Sequence, residues 1–205
     1  MSSPSRSDIE LLGKWASGDA GAGNELIERH CDALHRYFVN KVGDELEDLI
    51  QQTFLACLES WTRFRHEASF RTFLLGIARF QLYTFYGRQR RSAGNLSVSS
   101  LRDPSTSPTG AVSKRQDEQL LLQALRRISL EAQEILELSF WEGLSATEIA
   151  AVLDLSLNAT YSRLHRAKQA LRSALRQLAP DREHYQQASM LMQEAPAGEM
   201  LRPER

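Results

Sequence analysis

The sequence predicts an all-α protein: two small helical domains joined by a flexible linker, the second with a helix-turn-helix. Three observations lead there. Apolar residues recur at helical spacing from Ile9 to Arg91 and again from Gln119 to Leu178. Between them, Ser92 to Ser113 loses that period. β-branched residues are scattered and never alternate for long enough to make strands. The expected boundaries are a first domain over 8–92, a linker over 93–116, a second domain over 117–179 and a tail over 180–205.

Taken in order, the first informative helix runs from Asp44 to Trp61. Its expected core stripe is Ile50, Phe54, Cys57, Leu58 and Trp61. The far side would present Asp48, Leu49, Gln52, Leu55, Ala56 and Glu59. Leucines set among carboxylates and amides have the make-up of a docking surface, with apolar anchors and a polar rim. The acids have no metal-ligand spacing.

From Trp61 to Arg91, aromatics and arginines interleave, with no acid after Glu67. Aromatic faces can hold unstacked bases while guanidinium groups hold a phosphate backbone. Singly, Phe70, Phe73 and Phe80 read as core residues.

The linker is rich in Ser, Gly and Pro, including Gly94, Pro104, Pro108 and Gly110. Such a run cannot bury enough apolar surface to order itself. In the second domain, Leu125 to Gly143 forms a supporting helix whose Ile135, Leu138 and Trp141 are expected in the core.

Next, Ser145 and Glu148 make a capping box that starts a helix at Ala146, turning Ile149, Val152 and Leu153 inward. Asp154 tolerates the left-handed conformation of a tight turn. Leu155 plugs that turn and Ser156 caps the following helix. There Leu157, Thr160, Leu164, Ala167 and Leu171 gather on one face. Asn158, Ala159, Ser162, His165 and Arg166 lie opposite, with Arg163 on the flank. Small and hydrogen-bonding residues followed by arginines suit a helix reading the major groove. Beyond Pro180 the chain turns polar and is expected to be a frayed tail, with a short interaction helix carrying Tyr185, Met190, Leu191 and Met192 as the alternative.

The net charge of −1 conceals this asymmetry. Acids crowd the N-terminal part, while Arg71 to Arg91 and Arg163 to Arg176 are acid-free basic blocks. That distribution points to several macromolecular contacts. Cys31 and Cys57 are far apart and read as packing cysteines. His30, Cys31 and His35 are given surface or packing roles. No phosphate-binding loop, glycine-rich fingerprint or nucleophile motif is present, so no enzyme, cofactor or metal is expected. An N-terminus without an apolar core, and no stretch of about 20 apolar residues, lead to an expectation of a cytoplasmic chain without membrane insertion.

The helix-turn-helix alone does not separate this chain from many transcriptional regulators. The order of segments does. Glu47 to Phe54 is followed by Trp61, Phe64, Phe70 to Leu74, Ile77 to Arg79 and Arg88 to Arg91. After the linker come Leu144-Ser145, Glu148 to Ala150, Ser156 and Ser162 to Ala167. Over about residues 25–178 this resembles the extracytoplasmic-function (ECF) sigma factors of the bacterial sigma-70 family.

The resemblance implies a sigma factor that directs core RNA polymerase to promoters and assists melting of the −10 element. Asp48, Leu49, Gln52, Leu55 and Glu59 would bind core polymerase at the β′ clamp helices. Arg63, Phe64, Arg71, Arg79, Phe80, Tyr83, Arg88, Arg90 and Arg91 would bind −10 DNA, with a flipped base held by the loop from Phe64 to Ser69. Asn158, Ala159, Tyr161, Ser162, Arg163, His165 and Arg166 would bind the −35 element, and their domain would contact the β flap. The linker would thread the polymerase channel. An anti-sigma factor is a possible partner by the same resemblance.

The chain departs from the family pattern in places. Phe80 and Thr84 stand where Asn and Asp are usual, Gln52 where Glu is common, and Asn158, Ala159 and Tyr161 where Gly, Thr and a basic residue are common. An atypical promoter preference is expected. A stand-alone regulator binding DNA as a dimer would need a sensor or dimer helix in residues 1–91, and neither is visible.

Overall fold

The computed structural model describes residues 7–63, 68–92 and 116–194. Within them are nine α-helices and no strand. The N-terminal half holds α1 (Asp8–Ala16), α2 (Ala20–Val39), α3 (Leu46–Ser60) and α4 (Phe70–Ser92), with a 3₁₀ turn at Trp61–Arg63. The C-terminal half holds α5 (Gln116–Arg127), α6 (Leu130–Phe140), α7 (Ala146–Leu153), α8 (Leu157–Leu178) and α9 (Arg182–Glu194). The linker expected over 93–116 lies outside the described residues as far as 115.

A capping box starts α1: Ser7 N–H donates to Glu10 at 2.9 Å, and Glu10 N–H donates to the Ser7 hydroxyl at 3.3 Å. The chain then reverses through Gly18, whose φ of 99° is open only to glycine at little cost. Asp19 caps α2, accepting from Ala22 N–H at 3.1 Å. At Gly23 the Trp15 indole packs so closely that a Cβ would lie 2.6 Å from it. Leu26, Ala33, Leu34 and Phe38 carry the buried face of α2 onto α1, α3 and α4.

In α3 the inward face is rotated from the expected one. Leu49, Thr53, Phe54 and Cys57 are buried, Ile50 and Leu58 are half-buried, and Trp61 is 41% exposed. Thr53 joins the core because its hydroxyl donates to the Leu49 carbonyl at 2.6 Å, which removes the penalty of burying it. Burial pushes the Cys57 thiol up to about 12, so it is an inert packing group.

The C-terminal half is built on α8, which packs against α5, α6 and α7. The segment expected to fray instead forms α9, lying against α5 and α8. Asp181 caps it, accepting from His184 N–H at 2.9 Å. Ala188 is fully buried, with Tyr185 and Leu191 packed beside it. That three-residue spacing was too short a pattern to stand out beside so many polar neighbours.

The two halves do not stand apart. Buried apolar residues of both belong to one cluster, and α7 lies along α4. At this seam α6 is buried on nearly every side, including Gln133, Glu134 and Glu137 among its polar residues.

Candidate nucleic-acid interface

The helix-turn-helix forms as its local chemistry demands. Glu148 N–H donates to the Ser145 hydroxyl at 3.3 Å, and Ser145 N–H donates to the Glu148 carboxylate at 2.9 Å. The Ser145 hydroxyl donates to the same carboxylate at 2.7 Å; this bond first, and the one from Ser145 N–H next, hold the Glu148 carboxyl below its ordinary value. Ile149, Val152 and Leu153 are buried. Asp154 takes the left-handed conformation at φ 53°, and Leu155 N–H closes the turn on the Ala150 carbonyl at 2.9 Å. Ser156 then caps α8, accepting from Ala159 N–H at 3.2 Å.

On α8, Thr160, Ala167 and Leu171 face inward, Leu164 is half-buried, and Leu157 is 42% exposed. The expected inward position of Leu157 is therefore corrected: at the first helical residue it lies outside the groove that the later residues fill. Asn158, Tyr161, Ser162, Arg163, His165 and Arg166 are all exposed, and Ala159 partly so. His165 bonds Gln169 at 3.0 Å one turn on, and Arg166 Nε donates to the Ser162 carbonyl at 3.4 Å.

The basic helix α4 behaves differently along its length. Phe70 is buried against the His30 ring, with centroids 5.0 Å apart. Phe80 is 69% exposed, contrary to the core role it has when read singly. Arg88, Arg90 and Arg91 also face solvent. Arg71, Arg79 and Tyr83, by contrast, turn to the seam. Arg71 is ion-paired with Glu142, and Tyr83 donates to Glu134 at 2.8 Å. Arg79 lies 3.7 Å from Glu134 and stacks on the Tyr83 ring at 4.7 Å. Phe64 lies outside the described residues, as does the side chain of Arg63.

On α3 the outer face presents Asp48, Gln52, Leu55 and Glu59. Leu55 is 51% exposed, whereas Leu49 is only 3% exposed and belongs to the core. The expected leucine pair is thus a single leucine.

Sequence reasoning missed the seam altogether. Glu142, 4% exposed, accepts two hydrogen bonds from Arg36, at 2.9 and 3.2 Å, besides its pair with Arg71. Glu134 accepts from the Tyr37 and Tyr83 hydroxyls. Glu137 pairs with Lys41 and accepts from Gln133 at 2.6 Å. Burial, and next the Glu134 charge, push both tyrosines above their ordinary range, so both remain protonated donors. The signal available was a set of acids flanked by Ile135, Leu136 and Leu138, on a helix with no consistently polar side. No group of three or more His, Cys, Asp or Glu among the described residues could hold a metal ion. No described helix is long and apolar enough to cross a membrane.

Known proteins share both halves in this order. The Sigma-70 region 2 family matches residues 26–92, and the Sigma-70, region 4 family matches residues 118–171. The chain is 29% identical to the ECF RNA polymerase sigma factor SigL of Mycobacterium tuberculosis, over 82% of this chain and 96% of that protein. It is also 29% identical to the ECF RNA polymerase sigma factor BldN of Streptomyces coelicolor, over 80% of this chain and 64% of that longer protein. Among solved structures it is similar to CnrH in complex with the cytosolic domain of CnrY. There the TM-score is 0.57 at 25% identity, covering 82% of this chain and 96% of that one. The sigma factor RpoE of Bartonella quintana, in complex with the anti-sigma factor NepR, shares the fold at TM-score 0.59 and 22% identity, covering 78% of this chain and 98% of that one. With regions 2 and 4 both present on an all-helical frame, the chain belongs to the extracytoplasmic-function group of the sigma-70 family and is a promoter-directing sigma factor.

Proposed function

We propose that the chain docks on core RNA polymerase through the outer face of α3 and reads promoters through two separate helices. Asp48, Gln52, Leu55 and Glu59 form the docking face, with Leu55 as its apolar anchor. The observation that carries the reading is the pair of basic helices, α4 and α8, held on two halves of one chain. On α8, Asn158, Ala159, Tyr161, Ser162, Arg163, His165 and Arg166 meet the −35 element in the major groove. On α4, Arg71, Arg79, Tyr83, Arg88, Arg90 and Arg91 hold the −10 strand, and Phe80 offers a face on which an unpaired base stacks. Arg63 and Phe64 complete this surface. The C-terminal half meets the polymerase β flap, and the docking face meets the β′ clamp helices.

Tyr161 and Phe80, a phenol and an aromatic ring at DNA-facing positions, give this chain a promoter preference of its own. An anti-sigma factor is proposed as a further partner, because two similar sigma factors are seen in complex with the cytosolic domain of CnrY and with the anti-sigma factor NepR.

The test is initiation by purified core polymerase, with and without the chain, on a library of promoter fragments. The expected result is transcription from a selected −35/−10 pair only when the chain is present. Duplex binding by the chain with no polymerase association would overturn the proposal.

A further inference from the structure

The first turn of α8 holds a side chain that the −35 surface described above does not use. Leu157 is 42% exposed, while Leu155 and Leu164, before and after it, pack against the core. A single leucine on a surface is ordinary. This one has a neighbour of its own kind. Tyr161, one turn on and about 40° round at ~100° per residue, is 57% exposed. The two make an apolar edge on a face whose other members, Asn158, Ser162 and His165, are polar and exposed.

The turn that presents Leu157 is already ordered. Ser156 caps α8, accepting from Ala159 N–H at 3.2 Å. Thr160 is fully buried, and its hydroxyl donates to the Ser156 carbonyl at 3.1 Å. These bonds fix the backbone on both sides of Leu157, so little ordering is left for a binding step to supply.

A recognition helix meets base edges in the major groove with its N-terminal residues. Those edges carry hydrogen-bond donors and acceptors and one apolar group, the 5-methyl of thymine. A leucine laid on a donor or acceptor strips its water and returns no bond, which is unfavourable. Laid on the thymine methyl, it buries apolar surface on both partners. Cytosine has only a hydrogen at that ring position, with an amino donor beside it. The side chain that favours thymine therefore opposes cytosine.

We infer that Leu157 is a specificity-determining residue of the −35 surface, seated against the 5-methyl group of a thymine, with the Tyr161 ring closing the apolar edge. The inference rests on the promoter-reading role proposed above and adds to it one base and one chemical group.

The test uses holoenzyme on a promoter selected from the library, with each −35 thymine replaced in turn by deoxyuridine. That change removes the methyl group and keeps the hydrogen-bonding edge. Affinity is read by competition with the unmodified promoter. At one position deoxyuridine should weaken wild-type binding about fourfold, which is ~0.8 kcal/mol at ~1.4 kcal/mol per tenfold and matches one buried methyl-sized group. Leu157→Ala should bind the thymine promoter several-fold more weakly and should no longer distinguish thymine from deoxyuridine there. Leu157→Met, apolar and of similar size, should keep the preference. A helix merely loosened by Leu157→Ala would lose affinity for both promoters equally and keep the fourfold ratio, and that result would overturn the inference. So would wild-type indifference to deoxyuridine at every −35 thymine, or a selected −35 element that contains no thymine. Holoenzyme that selects no promoter at all would instead overturn the promoter-reading role.

Discussion

The seam between the halves and the open faces of α3 and α8 are built from the same residue types, yet they hold them in opposite states. On α8 the arginines at 163 and 166 look into solvent. On α4 the arginines at 71 and 79 look into carboxylates supplied by the other half of the chain. Charge count alone cannot separate these helices; what separates them is which side of each the fold leaves uncovered. An exposed arginine is available to a ligand at no cost in stability. A covered one must first exchange its partner, so its binding depends on a change of arrangement.

Substitutions can test that contrast, and the largest effect is expected on α3. Leu49→Asp places a carboxylate in the core at a position 3% exposed, and should cost about 4 kcal/mol or more in urea unfolding. Leu55→Asp, six residues on and 51% exposed, should leave stability within ~0.5 kcal/mol while weakening polymerase association. Equal destabilisation by the two would break the assignment of faces.

Next in size is Arg166→Ala on α8. It should cost about 1–3 kcal/mol in affinity for a −35 duplex, read by fluorescence anisotropy, and leave polymerase binding and melting temperature unchanged. A simultaneous loss of polymerase binding would erase the division between the two surfaces.

The smallest effect concerns the cap of the helix-turn-helix. Ser145→Ala should cost about 1 kcal/mol. It should also alter the acid limb of stability. Glu148 has a folded pKa below its ordinary 4.5, chiefly through its bond with Ser145. Its stabilising contribution is therefore full above that ordinary value and is lost as pH falls through the lower folded one. Removing Ser145 should flatten this acid-side loss, as followed by thermal melts from about pH 6 to about pH 3; a slope identical to wild type would remove the bond as its cause. Glu148 is partly exposed, so screening keeps the difference small.

Much of the fold was legible because local chemistry decides it. Ser145, Glu148, Asp154 and Ser156 each act on neighbours three to five residues away, and the helix-turn-helix formed where they placed it. The face of α3 was less legible, since a threonine can be buried when its hydroxyl bonds to its own helix. The seam was not legible at all. Glu142 meets Arg36 and Arg71 across 106 and 71 residues of sequence, and no periodicity reports a contact at that range. Nor could the sequence show that Arg79 and Phe80, adjacent in the chain, would face a carboxylate and solvent respectively.

The most direct test of the two-surface account is tethered DNA cleavage within the promoter complex. A cleaving reagent is attached at Ser162→Cys on α8, or at Thr84→Cys on α4, with Cys31 replaced and the buried Cys57 left in place. Holoenzyme carrying the α8 tether should cut around −35 and holoenzyme carrying the α4 tether around −10, in two separate zones. Overlapping zones, or cutting from α8 alone, would contradict the account.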